Sequence, residues 1–200
     1  MLSAKDLKIT FNPGTPIETR ALRGASLDIP AGQFVTVIGS NGAGKSTFLN
    51  AISGDLRVDS GTVVIDAEDV TGKPVWERSA RVARVFQDPM AGTCEDLSIE
   101  ENMALAHDRG NSRGLFKAVK NANRELYRER LATLGLGLEN RLTDRIGLLS
   151  GGQRQAVSLL MAALQPSRIL LLDEPTAALD PRTADFVLKL TARIVEQGKL

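Results

Sequence analysis

The chain has 200 residues, 42% hydrophobic and 24% charged, with 25 Lys and Arg against 24 Asp and Glu. That is one globular domain, or one domain with an inserted lobe, large enough to bury about 70% of its unfolded surface without staples. The net charge of +1 argues against a protein built to coat nucleic acid; the single cysteine, Cys94, excludes an internal disulfide, and the single histidine, His107, excludes a histidine cluster.

In chain order, residues Met1 to Thr10 hold no apolar core of the length a secretory leader needs, and no later run nears the ~18 apolar residues of a membrane span. Leu7–Phe11 and Ala25–Ile29 alternate as antiparallel strands do, and Phe34–Ile38 reads as a buried, β-branched strand running into glycines. Lys45–Ile52 predicts a helix stopped at Ser53-Gly54, and Thr62–Ile65 and Ala83–Phe86 predict further strands. After Gln87 the texture turns helical: Ile99–Ala106, then Leu115, Val119, Ala122 and Leu126 at helical spacing, closed by Leu131 and Leu134 before Gly135. A helix from Gly152 to about Leu164, a strand Ile169–Leu172 and a last helix over about 182–196 complete the chain.

The run Gly39-Ser40-Asn41-Gly42-Ala43-Gly44-Lys45-Ser46, followed by Thr47, fits G-x-x-x-x-G-K-[ST] between a predicted strand and a predicted helix. Its glycines let successive N–H groups curl towards phosphate oxygens, and the following helix adds its positive dipole end. Lys45 then reaches the β- and γ-phosphates of a nucleoside triphosphate, and the Ser46 hydroxyl ligates Mg²⁺. The strand Ile169–Leu172 delivers Asp173 and Glu174 at its C-terminal end, where ligands sit in open α/β sheets. There Asp173 is expected on Mg²⁺ and Glu174 on the attacking water.

Leu149-Ser150-Gly151-Gly152-Gln153 raises a different problem. Ser-x-x-Gln is a helix-capping pattern, yet two glycines in a first turn cost about 1 kcal/mol each against alanine. A cap alone has no need of them.

Together these pieces resemble the ABC-type ATPases, the ATP-binding cassette family, and the resemblance covers nearly the whole chain. It is carried, in order, by Phe11, Gly39–Thr47, Gln87, Leu149–Gln153, Ile169–Glu174 and Ala177-Ala178-Leu179-Asp180. The resemblance implies an α/β fold: a P-loop NTPase core (residues 1–89 and 164–200) with an N-terminal antiparallel β segment and an inserted α-helical subdomain (residues 90–163). It implies ATP and Mg²⁺ as ligands, the metal held by Ser46, Gln87 and Asp173, with Glu174, Gln87 and Lys45 catalytic. Phe11 takes the place of an aromatic that stacks on adenine. Ser150, Gly151, Gly152 and Gln153 grip the γ-phosphate held by the loop of a second copy, so that two copies sandwich two ATP molecules head to tail. Asp180 lies in the loop that crosses this interface; the serine usual three residues earlier is here Ala177.

A short helical lobe without a heptad run resembles the separate ATPase subunit of a membrane transporter. The implied partners are an integral-membrane permease and, through it, a substrate-binding protein, at the cytoplasmic face of the membrane. Val85, Phe86 and Met90–Leu97 are the expected wall of a groove for the permease. The continuation Arg154-Gln155-Ala156 and Leu159–Ala162 resembles a subgroup serving importers of amino acids or similar small solutes, while Pro13–Pro16 resembles exporters of the lipoprotein-releasing kind. A non-transport ATPase acting on nucleic acid has only the basic helix Lys117–Arg130 in its favour, and no nucleic-acid partner is expected. The family's switch histidine belongs beyond the last helix, so the sequence to Leu200 reads as a C-terminally shortened cassette, expected to bind nucleotide and hydrolyse it slowly.

Overall fold

A computed structural model describes residues 1–111, 118–177 and 179–198, in two compact units divided after Val82. The first unit carries β1 (Leu2–Phe11), β2 (Thr19–Ile29), α1 (Lys45–Ser53), β3 (Ser60–Ile65), β4 (Glu68–Asp69) and α2 (Val75–Arg78). Its four strands form an antiparallel sheet in the order β2-β1-β3-β4.

The buried apolar residues of β1 are Leu2 and Ala4, then Leu7 and Ile9. Each pair keeps the period of two, but three positions separate Ala4 from Leu7, so one extra residue must re-phase the strand. Asp6, at φ 48°, is that residue, and the register shifts there against both neighbours. The bulge leaves no room on β3: a side chain at Gly61 (φ 99°) would start 2.5 Å from the Asp6 carbonyl oxygen.

α1 lies against β2 and buries Phe48, Ala51 and Ile52. Buried Arg78 then closes the end of α1, donating to the carbonyls of Ala51 (2.8 Å) and Ile52 (2.9 Å) as well as to those of Thr71 and Lys73. It satisfies carbonyls that a helix terminus leaves without partners. Burial pulls its guanidinium below the usual arginine range.

Phe34–Ile38 departs from expectation. It joins no ladder, and Phe34 and Ile38 are 70% and 89% exposed. An apolar, β-branched run specifies a willingness to pair but not a partner, and the sheet of this unit ends at β2 and β4.

The second unit holds β5 (Val82–Val85), which starts at the division, α3 (Ile99–His107), α4 (Asn121–Ala132), α5 (Gly151–Ala163), β6 (Ile169–Leu172) and α6 (Pro181–Gly198). Short 3₁₀ turns at Leu138–Asn140 and Ile146–Leu148 lead into α5. The core gathers Ile99 and Met103 of α3, Tyr127 and Leu131 of α4, Val157 and Leu159 of α5, and Leu190 and Ile194 of α6 around Val85. Strands β5 and β6 form a two-stranded sheet, with the Asp173 N–H donating to the Val85 carbonyl at 3.1 Å.

The helix expected from Leu115 is observed from Asn121; Leu115 and Lys117 lie outside the described residues. Two arginines of α4 are ion-paired: Arg124 grips Glu100 at 2.6 and 2.7 Å, and Arg128 meets Glu125 at 3.3 Å. His107, at the end of α3, stacks edge-on against Tyr127 with its Nδ1 3.2 Å from the phenol oxygen, and Cys94 is exposed. Among the described residues no helix is long and apolar enough to cross a membrane.

Candidate functional site

The first unit carries the phosphate loop. Gly39 to Ala43 are exposed, and α1 begins at Lys45 behind Gly44 with no side chain capping its free N–H groups. Gly44 has φ 91°, and a Cβ there would lie 2.7 Å from the Ala21 carbonyl oxygen, so this turn admits glycine alone. The Lys45 ammonium folds back over the loop and donates to the carbonyls of Gly39 (3.0 Å) and Ser40 (3.3 Å). Ser46 is exposed and Thr47 half-buried in the first turn of α1. Phe11 closes β1 opposite Thr19 with 37% of its surface exposed. A cleft of about 760 Å³ in this unit is lined by Lys8, Thr10, Arg20, Leu22 and Arg23, none of them in the loop.

The second unit holds the acidic pair and the glycine pair. β5 and β6 deliver two matched couples: the Arg84 guanidinium sits 3.3 Å from Asp173 Oδ2, and the Gln87 amide lies 3.5 Å from Glu174 Oε2. Asp173 is buried at the end of β6, while Glu174 is exposed and adopts φ 43°. A left-handed turn at a non-glycine costs about 1 kcal/mol or more. Among the described residues no three His, Cys, Asp or Glu side chains gather into a metal cage. The oxygen donors of Asp173 and Gln87 nevertheless suit Mg²⁺, which takes one or two protein ligands plus substrate phosphates and water.

At the start of α5, Ser150 Oγ accepts from the Gln153 N–H at 3.3 Å and the Gln153 side chain accepts from the Ser150 N–H at 3.1 Å. The capping box read from the sequence is therefore formed. The glycines beside it differ. A side chain at Gly151 would meet nothing within 4 Å, whereas one at Gly152 would run into the Thr183 methyl. Packing against α6 therefore adds a constraint of its own at Gly152, beside any part it has in phosphate approach. Ser150, Gly152, Gln153, Arg182, Thr183 and Phe186 line a cleft of about 280 Å³.

Asp180 is the cap of α6. It accepts from the N–H groups of Arg182 (3.1 Å) and Thr183 (3.2 Å) and from the Thr183 hydroxyl (2.6 Å), which hold its carboxyl below the usual range. Of the expected groove wall, Val85 is buried in the core and faces no partner; Met90 is exposed and touches Arg154. Arg154 also donates to the carbonyls of Gly147 (2.8 Å) and Leu149 (3.3 Å), shaping the turn that presents Ser150. Sequence reasoning passed over Arg84 and took Arg154 only as part of a subgroup pattern. The signal for Arg84 was a charge inside the apolar run Ala83–Phe86.

The profile of the ABC transporter family matches residues 22–177. The chain is 42% identical over 202 residues to a tyrosine transport ATP-binding protein of Clostridioides difficile, spanning 100% of this chain and 79% of that protein. It is 34% identical over 97% of its length to an energy-coupling factor transporter ATP-binding protein of Acetivibrio thermocellus, of which it spans 66%. Among solved structures, a dimeric post-hydrolysis state of an ATP-binding cassette bound to ADP and Pi matches with a TM-score of 0.83 at 29% identity, over 100% of this chain and 85% of that one. The fold is the P-loop NTPase fold of these cassettes.

Proposed function

Because the chain belongs to the ABC transporter family of ATP-binding cassettes, we propose that it is the ATP-binding and ATP-hydrolysing subunit of a membrane transporter, an importer of amino acids or similar small solutes. One observation carries the reading. The chain exposes two helix starts suited to the same phosphate, the uncapped start of α1 behind its glycine loop and the glycine-bearing start of α5. Two copies arranged head to tail give each ATP one of each.

In this reading Lys45 exchanges two neutral carbonyls for the β- and γ-phosphates, and charge-assisted bonds are the stronger ones. The N–H groups of Gly39 to Thr47 take the remaining phosphate oxygens, and Phe11 stacks on adenine. Ser46, Asp173 and Gln87 would hold Mg²⁺, which when bound neutralises charge developing on the phosphates. Glu174 polarises the attacking water, with Gln87 beside it to orient that water. Ser150, Gly151, Gly152 and Gln153 of the opposing copy close on the γ-phosphate, and Asp180 holds the neighbouring turn. Release of phosphate removes the contact that favours the closed pair, so the pair opens; a permease in the membrane, with its substrate-binding protein, converts that cycle into transport from the cytoplasmic face. The ion pairs of Arg124 and Arg128 on α4 weigh against a nucleic-acid partner.

The test is crosslinking and size-exclusion of Glu174→Gln with ATP and Mg²⁺. The expected result is a twofold pair that forms with ATP and is absent without it, alongside measurable phosphate release by the unaltered protein. A chain that stays monomeric throughout refutes the shared site. Salt-sensitive DNA or RNA binding, in place of copurification with a permease, refutes the transport assignment.

A further inference from the structure

We propose that Arg84 is a positioning residue for the reaction: its guanidinium holds the Asp173 carboxylate in the orientation from which that carboxylate receives Mg²⁺ beside bound nucleotide. The proposal rests on the reading of Asp173 given above.

Arg84 occupies β5 between Ala83 and Val85, both buried in the core. A guanidinium at such a position is unfavourable unless its charge is met. It is met by Asp173 Oδ2 at 3.3 Å, in a pair whose side chains are only 12% and 11% exposed. Two further contacts fix the geometry. The guanidinium carbon lies 4.5 Å from the centre of the Phe86 ring, a flat surface on which a planar cation stacks. The Asp173 N–H bonds to the Val85 carbonyl at 3.1 Å, so strand pairing places the carboxylate and the guanidinium side by side across 89 residues of sequence.

A buried ion pair is a poor source of stability, since well-packed apolar residues of similar volume do as well or better. Its placement is what gives it a use. The strand end that carries Asp173 also carries Glu174, and Gln87 follows Arg84 towards the same place. A carboxylate has two oxygens, and the guanidinium bonds to Oδ2, fixing the plane in which the group lies. Arg84 also supplies positive charge beside two adjacent carboxylates before any metal arrives, so Asp173 need not swing away from Glu174. Groups that orient a metal ligand from behind typically account for about 10–100-fold in metal affinity.

The experiment uses the full chain and a fluorescent ATP analogue, titrated in EDTA and then against Mg²⁺. Paramagnetic resonance of Mn²⁺ in the same mixtures reports metal bound independently of turnover. Arg84→Met is expected to bind the analogue in EDTA within about twofold of the unaltered protein, and to need about 10–100-fold more Mg²⁺ or Mn²⁺ for the metal-dependent signal. Arg84→Lys, which restores the charge, is expected to recover most of that loss. Should Arg84→Met fail to fold, Arg84→Gln carries the same expectation. An unchanged metal requirement in Arg84→Met or Arg84→Gln overturns the proposal, as does an equal loss of analogue binding in EDTA by all three variants. Asp173→Asn distinguishes the layers: if it leaves the metal requirement untouched, the reading of Asp173 has failed and Arg84 falls with it.

Discussion

The starts of α1 and α5 pose one physical problem and answer it in opposite ways. Every helix begins with N–H groups that have no partner within the helix. At α1 the preceding residue is Gly44, which offers no side chain, and the nearby Lys45 ammonium rests on loop carbonyls. At α5 the preceding residue is Ser150, and the Ser150–Gln153 box satisfies the end internally. An anion arriving at α1 therefore meets a helix start that no side chain caps, with the Lys45 ammonium already resting over the loop. An anion arriving at α5 must compete with a cap worth about 1 kcal/mol. The first arrangement favours standing affinity, the second a grip that engages and lets go. α3 supplies a reference, because Ser98 and Glu101 build the same box where no ligand is proposed.

Removing the cation at α1 is expected to have the largest effect. Lys45→Ala should cost about 1.5–3 kcal/mol of nucleotide binding, measured by calorimetry, with little change in melting temperature. Retained affinity would mean that the loop does not work through this charge. Next come the glycines. Gly44→Ala at φ 91° and Gly152→Ala against the Thr183 methyl should each lower stability by about 1–3 kcal/mol in denaturant unfolding. Gly151→Ala has open space and should stabilise α5 by up to about 1 kcal/mol, yet abolish the ATP-dependent pair if phosphate approaches that backbone. An intact pair would assign Gly151 no part in the grip. Ser150→Ala should cost about 1 kcal/mol of stability through the lost cap.

The smallest effect is a difference in pH response between two similar caps. Hydrogen bonds from Ser98 hold the Glu101 carboxyl below its usual range. A depressed folded-state pKa means that this contribution is present above the unfolded pKa and lost as pH falls through the folded value. Gln153 does not titrate. Amide exchange at the start of α3 should therefore quicken in acid relative to the start of α5; parallel behaviour would show that the charge on Glu101 contributes nothing.

Much of the site was legible because it is local. The phosphate loop, the Ser150–Gln153 capping box and the acidic end of β6 are each made within one short stretch. Gly44 shows how far this goes: its place in the pattern required a glycine, and the approach of Ala21 supplies the same requirement from outside the stretch. Phe34–Ile38 shows where it stops, since a pattern that invites pairing does not name a neighbour. The bulge at Asp6 was written as a broken alternation from Ala4 to Leu7, a signal visible once the phase is counted.

By itself, the order of residues determined the helix starts, the glycine loop, the strand carrying Asp173 and the absence of any disulfide, because each depends on side chains and backbone groups within a few bonds of one another. Only the tertiary structure decided that Arg84 meets Asp173, that Gln87 stands by Glu174, and that Thr183 crowds the place a side chain at Gly152 would take. Those contacts join segments far apart in the chain. Their closure is settled by packing of the whole unit, where local propensity has no vote.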